Sequence, residues 1–268
     1  MSQINLLTNE RIVDRTNTEY YNALRTNIQF LGKDIKVIAL TSTSENEGKS
    51  TVSVNIAISL AELGYKTILV DADTRKSVMA GRFKFTNKIT GLTSYLSGVA
   101  AIEDVIYETD VENLNIIPAG KVPPSTTSLL QNKNFNIMID VFKEYYDYII
   151  IDTPPIGAVI DAAIIAKKCD GFITVVEVNK VKKKALERAK DQLEKAGSKF
   201  LGVILNKVEE RDLGYGGYGS YGGYGDYGKK EEPKDKKKKR NKLYYLLYFL
   251  IFLSVVILGI FLVLNGST

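Results

Sequence analysis

The segment TSENEGKS at 43–50 places Lys49 beside the Ser50 hydroxyl at the end of a short polar loop. It lies between an apolar run at 37–40 and the helical pattern TVSVNIAISLAEL. Strand, loop and helix in that order form a phosphate-binding context: backbone N–H groups at the helix start can wrap a triphosphate, a lysine can neutralise its β and γ oxygens, and a hydroxyl can ligate Mg²⁺. The first glycine of the GxxxxGK[ST] pattern is missing, and Thr43 stands in its place. Two other apolar runs, TILVDAD at 67–73 and YIIID at 148–152, end in carboxylates, and Thr153, Pro154 and Pro155 follow the second. In open α/β sheets ligands bind beyond the carboxyl ends of the strands, so Asp71, Asp73 and Asp152 are expected to converge on the loop's Mg²⁺ and γ-phosphate. Each aspartate could instead serve as a turn residue or helix cap.

The elements needed to position these groups are legible in outline. Apolar runs at 37–40, 67–70, 114–117, 148–151, 171–178 and 200–205 alternate with helical patterns. The fold class expected is α/β, a P-loop NTPase with a mostly parallel sheet and helices on both faces. The domain should occupy 17–210, preceded by an arm at 1–16 that lacks the charged start and apolar centre of a signal peptide.

Beyond that domain the composition changes. Tyr215, Tyr218, Tyr221, Tyr224 and Tyr227 recur every third residue in a glycine-rich stretch, 211–228, with too little apolar surface to offset the entropy of ordering. Alone it would pass for a spacer; beside a phosphate loop it is read as a displayed substrate. Residues 229–242 carry nine Lys or Arg against three acids, a net +6. With 36 basic and 31 acidic residues in all, the rest of the chain holds 27 basic and 28 acidic, so its charge does not call for a nucleic-acid partner. Residues 243–264 are uncharged over 22 positions, about 33 Å as a helix at about 1.5 Å per residue, and are expected to cross a membrane. The polybasic flank would face anionic lipid on the cytoplasmic side, leaving 265–268 outside; Tyr244, Tyr245 and Tyr248 read as interfacial anchors. The expectation is therefore a single-pass cell-membrane protein with its catalytic domain in the cytoplasm.

Over residues 17–228 the chain resembles the bacterial tyrosine kinases of capsule and exopolysaccharide synthesis, the BY-kinases. The likeness rests on EGKST at 47–51, ILVDADTRKS at 68–77, IIIDTPP at 149–155, the helix LRTNIQF at 24–30 and the tyrosine cluster. It implies an ATP-dependent kinase that phosphorylates its own tail, usually between subunits of a ring. By position it assigns nucleotide binding to Glu47, Gly48, Lys49, Ser50 and Thr51, metal binding to Ser50, Asp73 and Asp152, and acceptance of the tyrosine proton to Asp71. Asn206, after the last apolar run, resembles the position where related ATPases contact adenine. The implied partners are further copies of the chain and a transmembrane activator or adaptor; a tyrosine phosphatase is expected because a reversible cycle would need one.

The residues support this chemistry independently. A phenol of pKa about 10 is a poor nucleophile at neutral pH, so a carboxylate and a charge-neutralising metal suit the transfer. The chain has no histidine, which removes every Ser-His or Cys-His mechanism, and its one cysteine, Cys169, gives neither a metal cluster nor an intrachain disulfide. Two departures from the family pattern bear on affinity and assembly. Glu45 stands where proline is common, and the ring helix reads Glu19, Asn22, Arg25 instead of ExxRxxR. Two other functions therefore stay open. One is a membrane ATPase switch of the partitioning or division-site class, although its signature lysine position is Ser44 here. The other is a catalytically weak, ATP-binding scaffold.

Overall fold

All six apolar runs are strands. The computed structural model describes residues 3–6, 15–79, 83–85 and 89–208. In chain order the elements are β1 (Gln3–Leu6), α1 (Arg15–Gln29), β2 (Val37–Ser42), α2 (Lys49–Glu62), β3 (Thr67–Asp71), β4 (Phe83–Phe85), α3 (Leu92–Leu96) and β5 (Tyr107–Thr109). They continue with β6 (Leu114–Ile117), α4 (Thr126–Leu130), α5 (Lys133–Tyr145), β7 (Tyr148–Asp152), α6 (Asp161–Ala166), β8 (Gly171–Glu177), α7 (Lys183–Lys195) and β9 (Phe200–Asn206). This description concerns the unit Met1–Gly222; the unit Gly223–Thr268 lies outside the described residues, as do the tyrosine ladder, the polybasic stretch and the 243–264 segment. Among the described residues no helix is long and apolar enough to cross a membrane.

The sheet runs β4-β1-β5-β6-β3-β7-β2-β8-β9. From β6 to β9 every neighbour is parallel. The antiparallel pairs are β5 with β6 and β1 with β4, so residues 3–6 of the N-terminal arm form a strand near one edge.

The central strands are apolar throughout because both faces are covered. On β7, Ile150 joins the core cluster that includes Val54 and Leu60 of α2 and Ile28 of α1. Its neighbours Ile149 and Ile151 join Phe135 and Met138 of α5 on the opposite face. A third cluster packs Ala163 of α6 and Leu193 of α7 against Ala39 and Phe172. Helices on both faces thus hold the carboxyl ends of β2, β3 and β7 in one row. The consequence for chemistry is a fixed register: Leu40 pairs with Asp152, and Asp152 pairs with Asp71.

Candidate active site

The loop after β2 closes without its usual first glycine because a side-chain pair takes over. Buried Glu47 accepts from the Thr43 backbone N–H at 3.0 Å and from Thr43 Oγ1 at 2.6 Å. The Glu47 side chain is thereby committed to the loop, which leaves its backbone as the part that could meet a nucleotide. Gly48 then takes φ +85° as the N-cap of α2, where no side chain caps the helix. Gly48 at the N-cap brings no side chain over the start of α2, where backbone N–H groups can meet a phosphate. A Cβ on Gly48 would come within 2.0 Å of Asn206 Nδ2, which donates to the Glu47 carbonyl at 2.9 Å. Asn206 therefore fastens the loop from the end of β9. Lys207 does the same beside it, donating to Asn46 O at 2.7 Å while paired with Glu177 at 2.9 Å.

Lys49, Ser50 and Asp152 meet directly. Lys49 Nζ lies 2.8 Å from Asp152 Oδ1 and donates to Ser50 Oγ at 3.1 Å, and the Ser50 hydroxyl donates to Asp152 Oδ2 at 2.6 Å. Ser53, one turn along α2, adds a third donor to Asp152 at 2.8 Å. These groups open onto a cavity of about 400 Å³ whose walls include Gly48, Lys49, Ser50, Thr51, Asp73, Arg75, Lys76, Pro154 and Lys207.

Asp71 lies behind that wall, fully buried. Its carboxylate accepts from the Asp73 N–H at 3.2 Å and from Ser77 Oγ. Burial, and then the charge of Asp152, push its pKa up to about 7, against the partial relief given by Ser77 and Lys49. Asp73 lines the cavity; burial raises its pKa while Lys49 lowers it, and its Oδ1 accepts the Lys76 N–H at 3.1 Å. The three aspartates are close enough to feel one another's charge, yet only Asp152 bonds to the loop's lysine and serine.

An Mg²⁺ ion fits this donor set. Ser50 supplies a hydroxyl and Asp152 a carboxylate, both hard oxygen donors on one hydrogen-bonded pair, with Asp73 on the same cavity wall. Among the described residues no three His, Cys, Asp or Glu side chains could hold a metal by themselves. That accords with a Mg²⁺ site of one or two carboxylates completed by phosphate oxygens and water.

Several neighbours escaped the sequence reading. Arg75 grips buried Asp161 with Nε at 2.6 Å and Nη2 at 3.2 Å, and Nη2 also donates to Thr127 at 3.1 Å. Arg75, Lys76 and Ser77 lie within the ILVDADTRKS segment, the signal by which they could have been found. Thr153 fastens onto β2 at Leu40, its N–H donating to Leu40 O at 3.0 Å and its hydroxyl to the same oxygen at 2.9 Å. Glu45, expected to oppose phosphate, is paired with Lys76 at 2.6 Å. Arg25 of α1 turns inward and donates to Ser59 O of α2 at 2.9 Å. Cys169 is half-buried, and burial pushes its thiol far above the ordinary range.

The fold and the loop define a P-loop nucleotide-binding α/β protein. Residues 35–200 match the family described as an AAA domain. The chain is 60% identical over 198 residues to the tyrosine-protein kinase CpsD of Streptococcus agalactiae serotype III (strain NEM316), covering 74% of this chain and 85% of that protein. It is 55% identical over 191 residues to the CpsD of Streptococcus pneumoniae serotype 4 (strain ATCC BAA-334 / TIGR4), covering 71% and 84%. Its structure resembles the kinase domain of the Escherichia coli tyrosine kinase ETK with a TM-score of 0.71 and 29% identity, over 75% of this chain and 81% of that one. Likeness to the septum site-determining protein MinD of Pyrococcus horikoshii OT3, solved with Mg-ADP, is lower, with a TM-score of 0.54 and 28% identity over 66% and 73%. The chain belongs to the bacterial protein-tyrosine kinase family.

Proposed function

We propose that this kinase transfers the γ-phosphoryl group of ATP to Tyr215, Tyr218, Tyr221, Tyr224 and Tyr227 of its own tail, and so regulates capsule or exopolysaccharide synthesis or export. The observation that carries the reading is the bonded cluster of Lys49, Ser50 and Asp152 with Asp71 at the same level of the next strand. Phosphate-binding groups and a carboxyl titrating near neutrality share one end of the sheet.

In this reading the N–H groups at the start of α2 take the phosphates, and Lys49 leaves Asp152 to join them. Ser50, Asp152 and Asp73 would hold Mg²⁺, which when bound neutralises charge on the phosphates. Asp71 receives the phenolic proton, a role suited to a group whose pKa lies near the working pH. Because Asp71 is covered, the Ser77 and Asp73 segment shifts to admit the tyrosine. Asn206 sits beside Gly48, where it can contact the base while bracing the loop.

The tail follows the last described residue, Val208, by seven positions at Tyr215, so the acceptors begin close to the nucleotide loop in sequence. At about 5 to 6 Å times the square root of length, the 32 residues of 211–242 between domain and membrane would, as a flexible segment, span about 30 Å, which permits transfer to the same or a neighbouring subunit. Residues 229–242 and 243–264 support a single-pass anchor with anionic lipid at its cytoplasmic face. A transmembrane activator, a ring of copies and a phosphatase complete the cycle envisaged. Ser44 counts against the ATPase-switch alternative. The 60% identity to a named tyrosine-protein kinase counts against the weak-scaffold alternative.

A mixing experiment tests the reading. Chain carrying all five Tyr→Phe substitutions is incubated with Lys49→Met chain whose tail is intact, in Mg-ATP. Phosphotyrosine on the Lys49→Met tails establishes transfer between subunits; modification of parent chains without it confines transfer to one subunit; no modification of either refutes the autokinase.

A further inference from the structure

Among the described residues four cations line the nucleotide cavity, and three are already committed. Lys49 is buried on Asp152, Arg75 holds Asp161 through two nitrogens, and Lys207 bridges Asn46 O and Glu177. Lys76 differs: its Nζ reaches Glu45 at 2.6 Å, with both side chains largely exposed at 71% and 51%. An exposed ion pair is weak, so separating it is cheap. The pair also joins two lips of the cavity, since Glu45 belongs to the phosphate loop and Lys76 to the segment after β3. Its backbone is pinned there, because Asp73 Oδ1 accepts the Lys76 N–H at 3.1 Å. The side chain is therefore exposed at its tip and fixed at its root.

The chemistry leaves room for such a group. A triphosphate brings several negative charges to a site that already contains Glu45, Asp73 and Asp152. Ser44 occupies the place from which a second loop lysine would come. We propose that Lys76 is a second cation for the terminal phosphate of the bound nucleotide, and that Glu45 is its resting place when no nucleotide is present. Glu45 then acts as a competitor: it weakens triphosphate binding by holding Lys76, and the nucleotide must displace it. The proposal rests on the reading of this cavity as the ATP site.

The test is equilibrium binding to the full chain in detergent with Mg²⁺, using fluorescent ADP and the non-transferable β,γ-imido analogue of ATP. Lys76→Ala should weaken the analogue about tenfold and ADP less than about twofold, as expected for loss of one charge-assisted hydrogen bond. Lys76→Arg should restore most of that loss, showing that the charge matters and that the site remains folded. Glu45→Gln should tighten the analogue selectively, and the gain should vanish when Lys76→Ala is also present. Equal weakening of both nucleotides by Lys76→Ala, no weakening of either, or a Glu45→Gln gain that persists without Lys76 overturns the proposal. A parent chain that binds neither nucleotide overturns the ATP-site reading and this inference with it.

Discussion

Asp71 and Asp152 stand directly opposite each other at the ends of β3 and β7, two carboxylates in register in the buried end of the sheet. They share the space unequally. Asp152 is held by Lys49 and by the hydroxyls of Ser50 and Ser53, whereas Asp71 has the Ser77 hydroxyl and one backbone N–H. The burden of proximity falls on Asp71, whose pKa rises to about 7 through burial and through the charge beside it. In the function proposed above, two like groups with different supports take different work, Asp152 beside the metal and Asp71 as the proton acceptor.

That asymmetry sets a pH dependence in the nucleotide-free protein. An unfolded Asp71 titrates near 3.8 and the folded one near 7, so between those values the folded state binds the extra proton. Its contribution is present below the ordinary carboxylate range and is lost as pH rises to about 7. Denaturant unfolding across pH 4 to about 7 should show stability falling, and Asp71→Asn should flatten the curve. A slope that survives in Asp71→Asn would place the titrating group elsewhere.

The loop's closure depends on Thr43 and Glu47. Thr43→Ala removes the hydroxyl bonded to a buried carboxylate oxygen, which should cost about 1–3 kcal/mol, while Thr43→Ser should retain most of it. Thermal denaturation of the two variants decides the matter. Equal loss in both would mean that the methyl group, not the hydroxyl, is what the site requires.

Gly157 holds the same loop from the other side. A Cβ there would lie 2.2 Å from the Thr43 carbonyl oxygen, a backbone atom that moves only with the loop. Gly157→Ala should destabilise by about 1–3 kcal/mol and weaken ADP binding, as overpacking does. At Gly202 an added Cβ meets nothing within 4 Å, so Gly202→Ala should stay within about 0.5 kcal/mol of the parent. Matching effects at the two sites would contradict the packing argument.

Metal dependence should track the hydroxyl and carboxylate assigned to it. Chelation should abolish phosphotransfer, and Ser50→Ala should raise the Mg²⁺ concentration needed for half-maximal activity. An unchanged Mg²⁺ titration in Ser50→Ala would remove Ser50 from the metal site.

The runs of β2, β3, β7 and β8 were legible because these strands are buried on both faces and are largely apolar, as Ile149, Ile150 and Ile151 illustrate, and those of β6 and β9 because their residues are mostly apolar, although Val203 and Leu205 of β9 are exposed. The strands β1, β4 and β5 were not, since three or four residues at the sheet's edge leave no such run; in β5 the central Glu108 is exposed. Spacing alone located Lys49, Ser50 and the three aspartates. It could not reveal the burial of Asp71, which depends on how Ser77 and Asp73 fold over it. Nor could it pair Arg75 with Asp161, 86 positions apart, or Glu45 with Lys76, 31 apart. The loop's repair of its missing glycine by Thr43 and Glu47 is local, but it requires the curl that brings residues four apart together.

The most direct test of the central claim is mass spectrometry of tryptic and chymotryptic peptides from the full chain after incubation with Mg-ATP, beside Lys49→Met treated identically. Phosphate is expected on Tyr215, Tyr218, Tyr221, Tyr224 and Tyr227 in the parent and none in Lys49→Met. ATP consumption by the parent with these five tyrosines unmodified would contradict it.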